Sequence, residues 1–320
     1  MVSVNKIEFK KDYRGRDFLS LHDYSREDLT YMLDFADFLK SEKKAGRPID
    51  YLKGKTLGMI FEKSSTRTRV SFETGIYYLG GTAFFLSSAD IQIGRGEPIK
   101  DTARVLSGYL DGIMIRTFGH DKLTELAEYA EIPVINGLTD LLHPCQVLAD
   151  LQTIRQHKGC LKGLKLTYLG DGNNMAHSLM FGGAKMGMHV TIACSPQYMP
   201  DAEVLKTAIA DAEANGGKIE IVHDAKEAVR DADVLYTDVW ASMGQEAEQA
   251  ERQRVMLPYQ LNSELLSLAK SAAIVLHCLP AKRGQEITEE VLEGPQSVVF
   301  DEAENRLWAQ MAVMALLMRD

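Results

Sequence analysis

Short apolar runs that alternate with helical stretches extend along most of the chain, and this alternation is what most limits the fold. The run TLGMIF at 56–61 has the length and composition of a buried strand, and apolar residues at helical spacing follow at 67–79. The same order recurs, with further strands predicted at 82–86, 112–115, 133–136, 165–169, 189–193, 218–222, 234–238, 273–277 and 297–300. Strands separated by helices pair in parallel, so the sequence predicts an α/β fold.

The series of strands is interrupted once, by a predicted helix at 144–157 that ends before Gly159. We therefore predict two doubly wound parallel-sheet domains, residues 1–150 and 151–301, with the active site in the cleft between them. The final helix, over about 302–320, is strongly apolar and is expected to pack back on the first domain. A length of 320 residues suits two domains of ordinary size.

Charge, hydropathy and cysteine content argue against several classes of protein. The chain has 36 basic and 45 acidic residues, a net charge of -9, which disfavours broad binding to nucleic acid or to membranes. Its longest apolar run, 311–318, is far shorter than the roughly 20 residues that cross a bilayer. No secretory signal is evident, so we expect a cytoplasmic protein. The four cysteines contain no CxxC pair and fit neither a disulfide scaffold nor a structural zinc site.

A cluster of hydroxyl and guanidinium groups lies at 64–69, where Ser-Ser-Thr-Arg-Thr-Arg follows a predicted strand and begins a helix. Exposed N–H groups and the helix dipole favour an anion at such a position. An ordinary N-cap with solvated arginines would have the same spacing. Arg116 at another predicted strand end, His143 and Gln146 at a helix start, and Arg306 on the final helix could complete an anion site.

In the second half, Gly-Asp-Gly-Asn-Asn at 170–174 lies between a predicted strand and a helix. A dinucleotide-binding turn would require a third glycine where the chain has Met175, and an acidic residue after the next strand. A nucleotide cofactor is therefore a weak alternative. Asn174 instead occupies a helix N-terminus suited to a carboxylate. Asp238 and Ser242 follow another predicted strand and together suit an ammonium group.

Cys278 follows the predicted strand at 273–277. A buried cysteine is the commonest interpretation. Two more specific interpretations of Cys278 remain open, as a catalytic nucleophile and as a metal ligand beside His277. Neither has further support, because no basic partner is identified for the thiol and no wider ligand spacing accompanies the pair.

Six ordered motifs, from near residue 16 to the C-terminus, resemble the aspartate/ornithine carbamoyltransferase family. They are Phe-Glu-Lys-Ser-Ser-Thr-Arg-Thr-Arg at 61–69, Met-Ile-Arg-Thr at 114–117, His-Pro-Cys-Gln at 143–146, Asp-Gly-Asn-Asn at 171–174, Asp238 with Ser-Met-Gly at 242–244, and His-Cys-Leu-Pro at 277–280. The last two point to the ornithine branch. The resemblance implies transfer of the carbamoyl group of carbamoyl phosphate to the δ-amine of L-ornithine, giving L-citrulline and phosphate in arginine metabolism.

The resemblance also assigns roles to individual residues. Those implied to contact carbamoyl phosphate are Ser65, Thr66, Arg67, Thr68, Gln92, Arg116, His143, Gln146, Cys278, Leu279 and Arg306, with Arg116, His143 and Cys278 catalytic. Those implied to bind ornithine are Asn174, Asp238, Ser242 and Met243. The family further implies no metal or organic cofactor, a homotrimer or a multiple of trimers with sites between subunits, a Ser-Met-Gly lid and a cis Leu279–Pro280 bond.

Other acceptors fit these residues less well. Putrescine has no carboxylate for Asn174 and Met243, N-acetylornithine has no free α-amine for Asp238, and aspartate would require additional cations. A non-catalytic paralogue that binds carbamoyl phosphate or a partner is the alternative outside enzymes, although motifs at every expected position argue against it.

Overall fold

Two compact units make up the chain in the computed structural model, which describes residues 11–241 and 248–320. The first unit contains Glu27–Cys145 and Arg306–Asp320, and the second contains Gln146–Asn305. Over the described residues, no helix is both long enough and apolar enough to cross a membrane.

The first unit has a four-stranded parallel sheet in the order β2-β1-β3-β4. The two central strands are almost completely buried, as expected for parallel strands covered on both faces. The strands are β1 Thr56–Phe61, β2 Thr82–Ser87, β3 Gly112–Arg116 and β4 Val134–Leu138, and the helices are α1 Arg26–Lys44, α2 Thr66–Tyr78, α3 Ile99–Ser107 and α4 His120–Tyr129.

The second unit has a five-stranded parallel sheet in the order β7-β6-β5-β8-β9. Its strands are β5 Lys165–Leu169, β6 His189–Ala193, β7 Lys218–Val222, β8 Val234–Thr237 and β9 Ile274–His277. The helices from here to the C-terminus are α5 Pro144–Lys158, α6 Asn174–Lys185, α7 Ala202–Asn215, α8 Ala225–Ala228, α9 Gln249–Met256, α10 Ser263–Leu268, α11 Glu289–Leu292 and α12 Val299–Met318. The two parallel sheets predicted from the sequence are therefore confirmed.

The end of α12 packs against α2 in the first unit. A Cβ atom on Gly75 would lie 2.9 Å from Met314 Cε and 3.0 Å from Met311 Cγ, so the two helices approach closely at this glycine. Each unit otherwise has its own apolar core. Ile60, Ile113 and Ile115 are fully buried in the first, and Leu235 and Val275 in the second.

The strand predicted at 297–300 is wrong. Only Ser297 makes a β-bridge, with Val275, and α12 already begins at Val299. The hydrogen bond from Glu302 N to Val298 O, 3.0 Å, belongs to the first helical turn. Successive apolar residues at 298–300 fit a short strand and a buried helix start equally well, and the structure selects the helix.

The order of strands reverses once in each sheet. In the first, β1 and β3 are neighbours and pair Phe61 with Arg116 at their ends. In the second, β5 and β8 are neighbours and pair Leu169 with Thr237. Because open α/β sheets bind ligands beyond the carboxyl ends of the strands at such a reversal, each unit has one defined place for a site.

Candidate active site

The N-terminus of α2 lies beyond the carboxyl end of β1, at the strand reversal of the first unit. Ser65 is the N-cap, in extended backbone, and its Oγ accepts a hydrogen bond from Thr68 N at 3.2 Å. Thr66 and Arg67 form the first turn. The helix dipole and the N–H groups of this turn make a favourable place for an anion.

Basic side chains from three other segments gather near this helix start. Arg306, buried on α12, donates from Nη2 to Thr68 Oγ1 at 2.8 Å. Burial lowers the pKa of His143 well below its ordinary value. Three nearby guanidinium groups lower that pKa further, those of Arg306, Arg116 and Arg67. The imidazole is therefore neutral near pH 7, within a cluster of positive charge.

Arg69 of the first motif and the predicted contact Gln92 have different surroundings from this cluster. Arg69 is exposed, pairs with Glu73 at 3.0 Å and stacks its guanidinium 3.7 Å from the centre of the Phe85 ring. Gln92 begins an exposed 3-10 helix, Gln92–Arg95. The structure thus distinguishes Arg67, whose charge acts on His143, from Arg69, and places Gln92 on the surface of the first unit.

In the second unit, Asn174 and Asp238 lie beyond the neighbouring strands β5 and β8. Asn173 caps α6, accepting hydrogen bonds from Met175 N at 2.9 Å and Ala176 N at 3.3 Å, so that Asn174 is the first helical residue. Asn173 Nδ2 also donates to Asp238 Oδ2 at 3.2 Å. This bond links the turn after β5 directly to the carboxylate after β8.

Cys278 directly contacts Asp238. Its Sγ donates to Asp238 Oδ1 at 3.0 Å. Burial raises the pKa of the Cys278 thiol well above its ordinary value, and the negative charge of Asp238 raises it further. A thiol in this state is a hydrogen-bond donor and a poor nucleophile, so the geometry does not favour the covalent alternative.

The hydrogen bonds of His277 argue against a metal site at the candidate ligands. Asp238, His277 and Cys278 offer ligand atoms within 4.8 Å of one another. However, His277 Nδ1 accepts from Leu279 N at 2.9 Å, and its Nε2 lies 3.0 Å from Glu286 Oε1. Both imidazole nitrogens are thus engaged. The Leu279–Pro280 bond that follows is cis, as the resemblance implies.

The second glycine of the turn after β5 packs against another loop, which argues against a dinucleotide site. A Cβ atom on Gly172 would lie 2.2 Å from Pro200 N and 2.4 Å from Met199 C. In a dinucleotide-binding turn, the second glycine lets the backbone approach the pyrophosphate. Here the equivalent glycine allows close contact with another loop of the protein.

Ser242 and Met243 lie outside the described residues, but the segments on either side of them are linked by Arg252. Its Nη1 contacts Asp171 Oδ2 at 2.6 Å and Trp240 O at 3.2 Å, and its Nε contacts Glu248 Oε2 at 2.9 Å. Sequence reasoning missed this residue. The only local signal is the spacing of Glu248 and Arg252, typical of a pair on one helix face.

Sequence reasoning also missed the surroundings of Gln146. This buried side chain donates from Nε2 to Asp150 Oδ1 at 2.9 Å and to Glu302 Oε1 at 3.1 Å. Asp150 follows Gln146 by one helical turn, which is a weak signal, and no local feature links Glu302 to either of them.

Two family models match consecutive parts of the chain. The carbamoyl-P binding domain of aspartate/ornithine carbamoyltransferase matches residues 16–156, and the Asp/Orn binding domain matches residues 162–317. The chain belongs to the aspartate/ornithine carbamoyltransferase family. The resemblance seen in the sequence motifs is thereby confirmed.

Similar members of this carbamoyltransferase family are named for ornithine. The ornithine carbamoyltransferase of Oceanobacillus iheyensis is 60% identical over 319 residues, which cover 99% of each chain. The anabolic ornithine carbamoyltransferase of Pyrococcus furiosus is 54% identical, over 95% of this chain and 96% of the relative. The solved ornithine carbamoyltransferase from Pyrococcus furiosus has a TM-score of 0.94 at 53% identity and covers 96% of this chain and 98% of its own.

Proposed function

We propose that this protein is an ornithine carbamoyltransferase, which transfers the carbamoyl group of carbamoyl phosphate to the δ-amine of L-ornithine and yields L-citrulline and phosphate. The observation that best supports the proposal is the neutral, buried His143 among the guanidinium groups of Arg67, Arg116 and Arg306. This cluster of one imidazole and three guanidinium groups suits a small dianion with a polarisable carbonyl. The names of the relatives and the ornithine-type motifs of the second unit support the acceptor.

In this proposal, the first unit binds carbamoyl phosphate. Ser65, Thr66 and Thr68 donate hydrogen bonds to the phosphate, and the three arginines neutralise the charge that grows on it as the C–O bond breaks. The neutral His143 donates one N–H to the carbamoyl oxygen and stabilises the oxyanion of the tetrahedral intermediate. The backbone of Cys278 and Leu279 completes the carbamoyl contacts, and Gln92 is proposed as a further contact.

The second unit orients ornithine. Asn174 and Met243 bind the carboxylate, while Asp238 and Ser242 bind the α-ammonium group. An alkylammonium group with a lysine-like pKa of about 10.4 is well under 1% free base at pH 7, so the δ-ammonium group must lose a proton to solvent before attack. The neutral nitrogen then forms the C–N bond, the C–O bond to phosphate breaks, and the second proton that the nitrogen loses goes to the leaving phosphate oxygen. Cys278, as a thiol, orients the amine and forms no covalent intermediate.

Citrulline formation from carbamoyl phosphate tests the proposal. The wild-type chain should use ornithine and not putrescine, N-acetylornithine or aspartate, for which phosphate release is followed. Arg67→Ala should reduce kcat/KM for carbamoyl phosphate by about 100-fold or more. The matched control is Arg69→Ala, since Arg69 contacts Glu73 and the Phe85 ring and should leave most of the activity.

Two other results would overturn the assignment. Activity with another amine alone would keep the carbamoyl phosphate site and refute the roles of Asp238 and Ser242. No activity with any acceptor would favour a non-catalytic paralogue.

We also propose that the chain forms a homotrimer or a multiple of trimers in the cytoplasm. Large apolar side chains are exposed on the first unit, among them Tyr77 on α2, Phe84 on β2 and Tyr109 after α3. Such residues are enriched at protein interfaces. Light scattering coupled to gel filtration should give three times 35.6 kDa, or a multiple of that mass. A monomer would refute the oligomer, and cell fractionation checks the compartment.

A further inference from the structure

Two carboxyl groups are buried together in the second unit. Asp150 on α5 is 0% exposed and Glu302 on α12 is 1% exposed. Glu302 accepts hydrogen bonds from Tyr236 Oη at 3.1 Å and from His277 N at 2.9 Å. Burial raises the pKa of Glu302 well above its ordinary value, and the charge of Asp150 and a hydrogen bond with it raise the pKa further. Glu302 therefore keeps its proton to a higher pH than an ordinary carboxyl group does.

The amide group of Gln146 faces this pair with its nitrogen. Nε2 donates to Asp150 Oδ1 at 2.9 Å and to Glu302 Oε1 at 3.1 Å, so both N–H groups are used. A flipped amide would turn its oxygen toward two carboxyl groups, whose oxygens are mainly acceptors, and would remove the N–H groups that Asp150 Oδ1 and Glu302 Oε1 accept. The two acids thus fix which end of the Gln146 amide points away from them.

That other end is Oε1, a buried acceptor with no hydrogen-bond partner among residues 11–241 and 248–320. Buried polar atoms normally have partners, and each exception requires an explanation. Gln146 follows His143 by three residues at the start of α5. An N–H group on a bound ligand would satisfy the oxygen, whereas a methyl group would not.

We propose that Asp150 and Glu302 are positioning residues that hold Gln146 Oε1 ready to accept an N–H from the carbamoyl group, so that the enzyme selects carbamoyl phosphate over acyl phosphates. This assignment rests on the proposed function. Acetyl phosphate is the informative comparison, since it has the same phosphate and carbonyl but a methyl group in place of the amino group. A site built for a hydrogen bond rejects an analogue that lacks it, because the buried acceptor stays unpaired.

Two variants at position 150 separate positioning from charge. Asp150→Asn keeps an oxygen to accept from Gln146 and gains an N–H that can donate to Glu302, whereas Asp150→Ala keeps neither. We expect Asp150→Ala to raise the KM for carbamoyl phosphate about tenfold. The inhibition constant of acetyl phosphate, measured as a competitor, should change less than about twofold, because no contact to its methyl group is lost. Asp150→Asn should keep both values near those of the wild type.

Gln146→Met provides a second test if Asp150→Ala does not fold. It removes the acceptor directly and should reduce the preference for carbamoyl over acetyl phosphate by a similar factor. Equal weakening of both ligands in either variant would indicate a merely structural role and overturn the proposal. So would a loss in Asp150→Asn as large as in Asp150→Ala. A wild-type chain that forms no citrulline would refute the proposed function itself, and the assignment with it.

Discussion

Replacing His143 by alanine should remove one donor to the developing oxyanion. The loss of such a donor costs about 2.7–4 kcal/mol, or a factor of about 100 to 1,000 in kcat. The side chain is only 5% exposed, so water does not readily replace the lost N–H. His143→Gln, whose amide can still donate, should lose less activity than His143→Ala.

The pH dependence of this loss tests whether the imidazole is neutral. A histidine with an ordinary pKa of about 6.5 is about 90% neutral at pH 7.5 and about 10% neutral at pH 5.5. Burial and the charges of Arg306, Arg116 and Arg67 lower the pKa of His143 well below that value. His143 therefore stays largely neutral over this interval, and its catalytic advantage should stay nearly constant.

The assay is kcat/KM for carbamoyl phosphate in the wild type and in His143→Ala at each pH, expressed as a ratio. Ionisation of the substrates is common to both proteins and cancels in this ratio. A constant ratio from pH 7.5 to 5.5 is expected. A change in this ratio in either direction, with a midpoint near pH 6.5, would show that His143 titrates as an ordinary histidine, because the imidazolium also donates an N–H but bears a charge, and would refute the argument from burial and positive charge. Binding of inorganic phosphate should remain similar in both proteins, since the arginines are unchanged.

The state of Cys278 and the pairing of Arg252 yield two further predictions. Cys278→Ser should keep more activity than Cys278→Ala, because a hydroxyl can still donate to Asp238. Iodoacetamide should label the exposed Cys160 before Cys278, whose pKa is raised. Preferential labelling of Cys278 in mass spectra would contradict the assignment of Cys278 as a protonated thiol. Arg252→Met should destabilise the protein by about 3–5 kcal/mol in chemical unfolding, because Asp171, 10% exposed at its side chain, loses its partner. The double variant with Asp171→Asn should recover much of this loss, and strictly additive losses would disprove the coupling.

The strands around the site are predictable from the sequence because buried parallel strands are uninterrupted apolar runs, as at 56–61 and 165–169. The strand expected at 297–300 fails because a few apolar residues do not specify a period. Whether Val298 begins a strand or precedes a helix depends on packing that arises only in the folded chain.

The chemistry of the site is less predictable than its residues. The motifs identify His143, Arg67 and Arg306, but the neutrality of His143 depends on burial and on charges from distant segments. The same holds for the orientation of Gln146, which depends on Asp150 and Glu302 on different helices. Such effects depend on distances between side chains in the folded chain, so they cannot be predicted from the local sequence.

The discontinuity of the first unit has a consequence for protein synthesis. Arg306–Asp320 is translated after Gln146–Asn305, yet it provides the guanidinium that bonds Thr68 and the methionines that contact Gly75. Gln146–Asn305 is translated earlier and contains nearly all of the second unit. A chain that ends at residue 305 should therefore lose protease resistance in the first unit and keep it in the second; equal resistance in both would contradict this. On the ribosome, the unit that begins first is the one that finishes folding last.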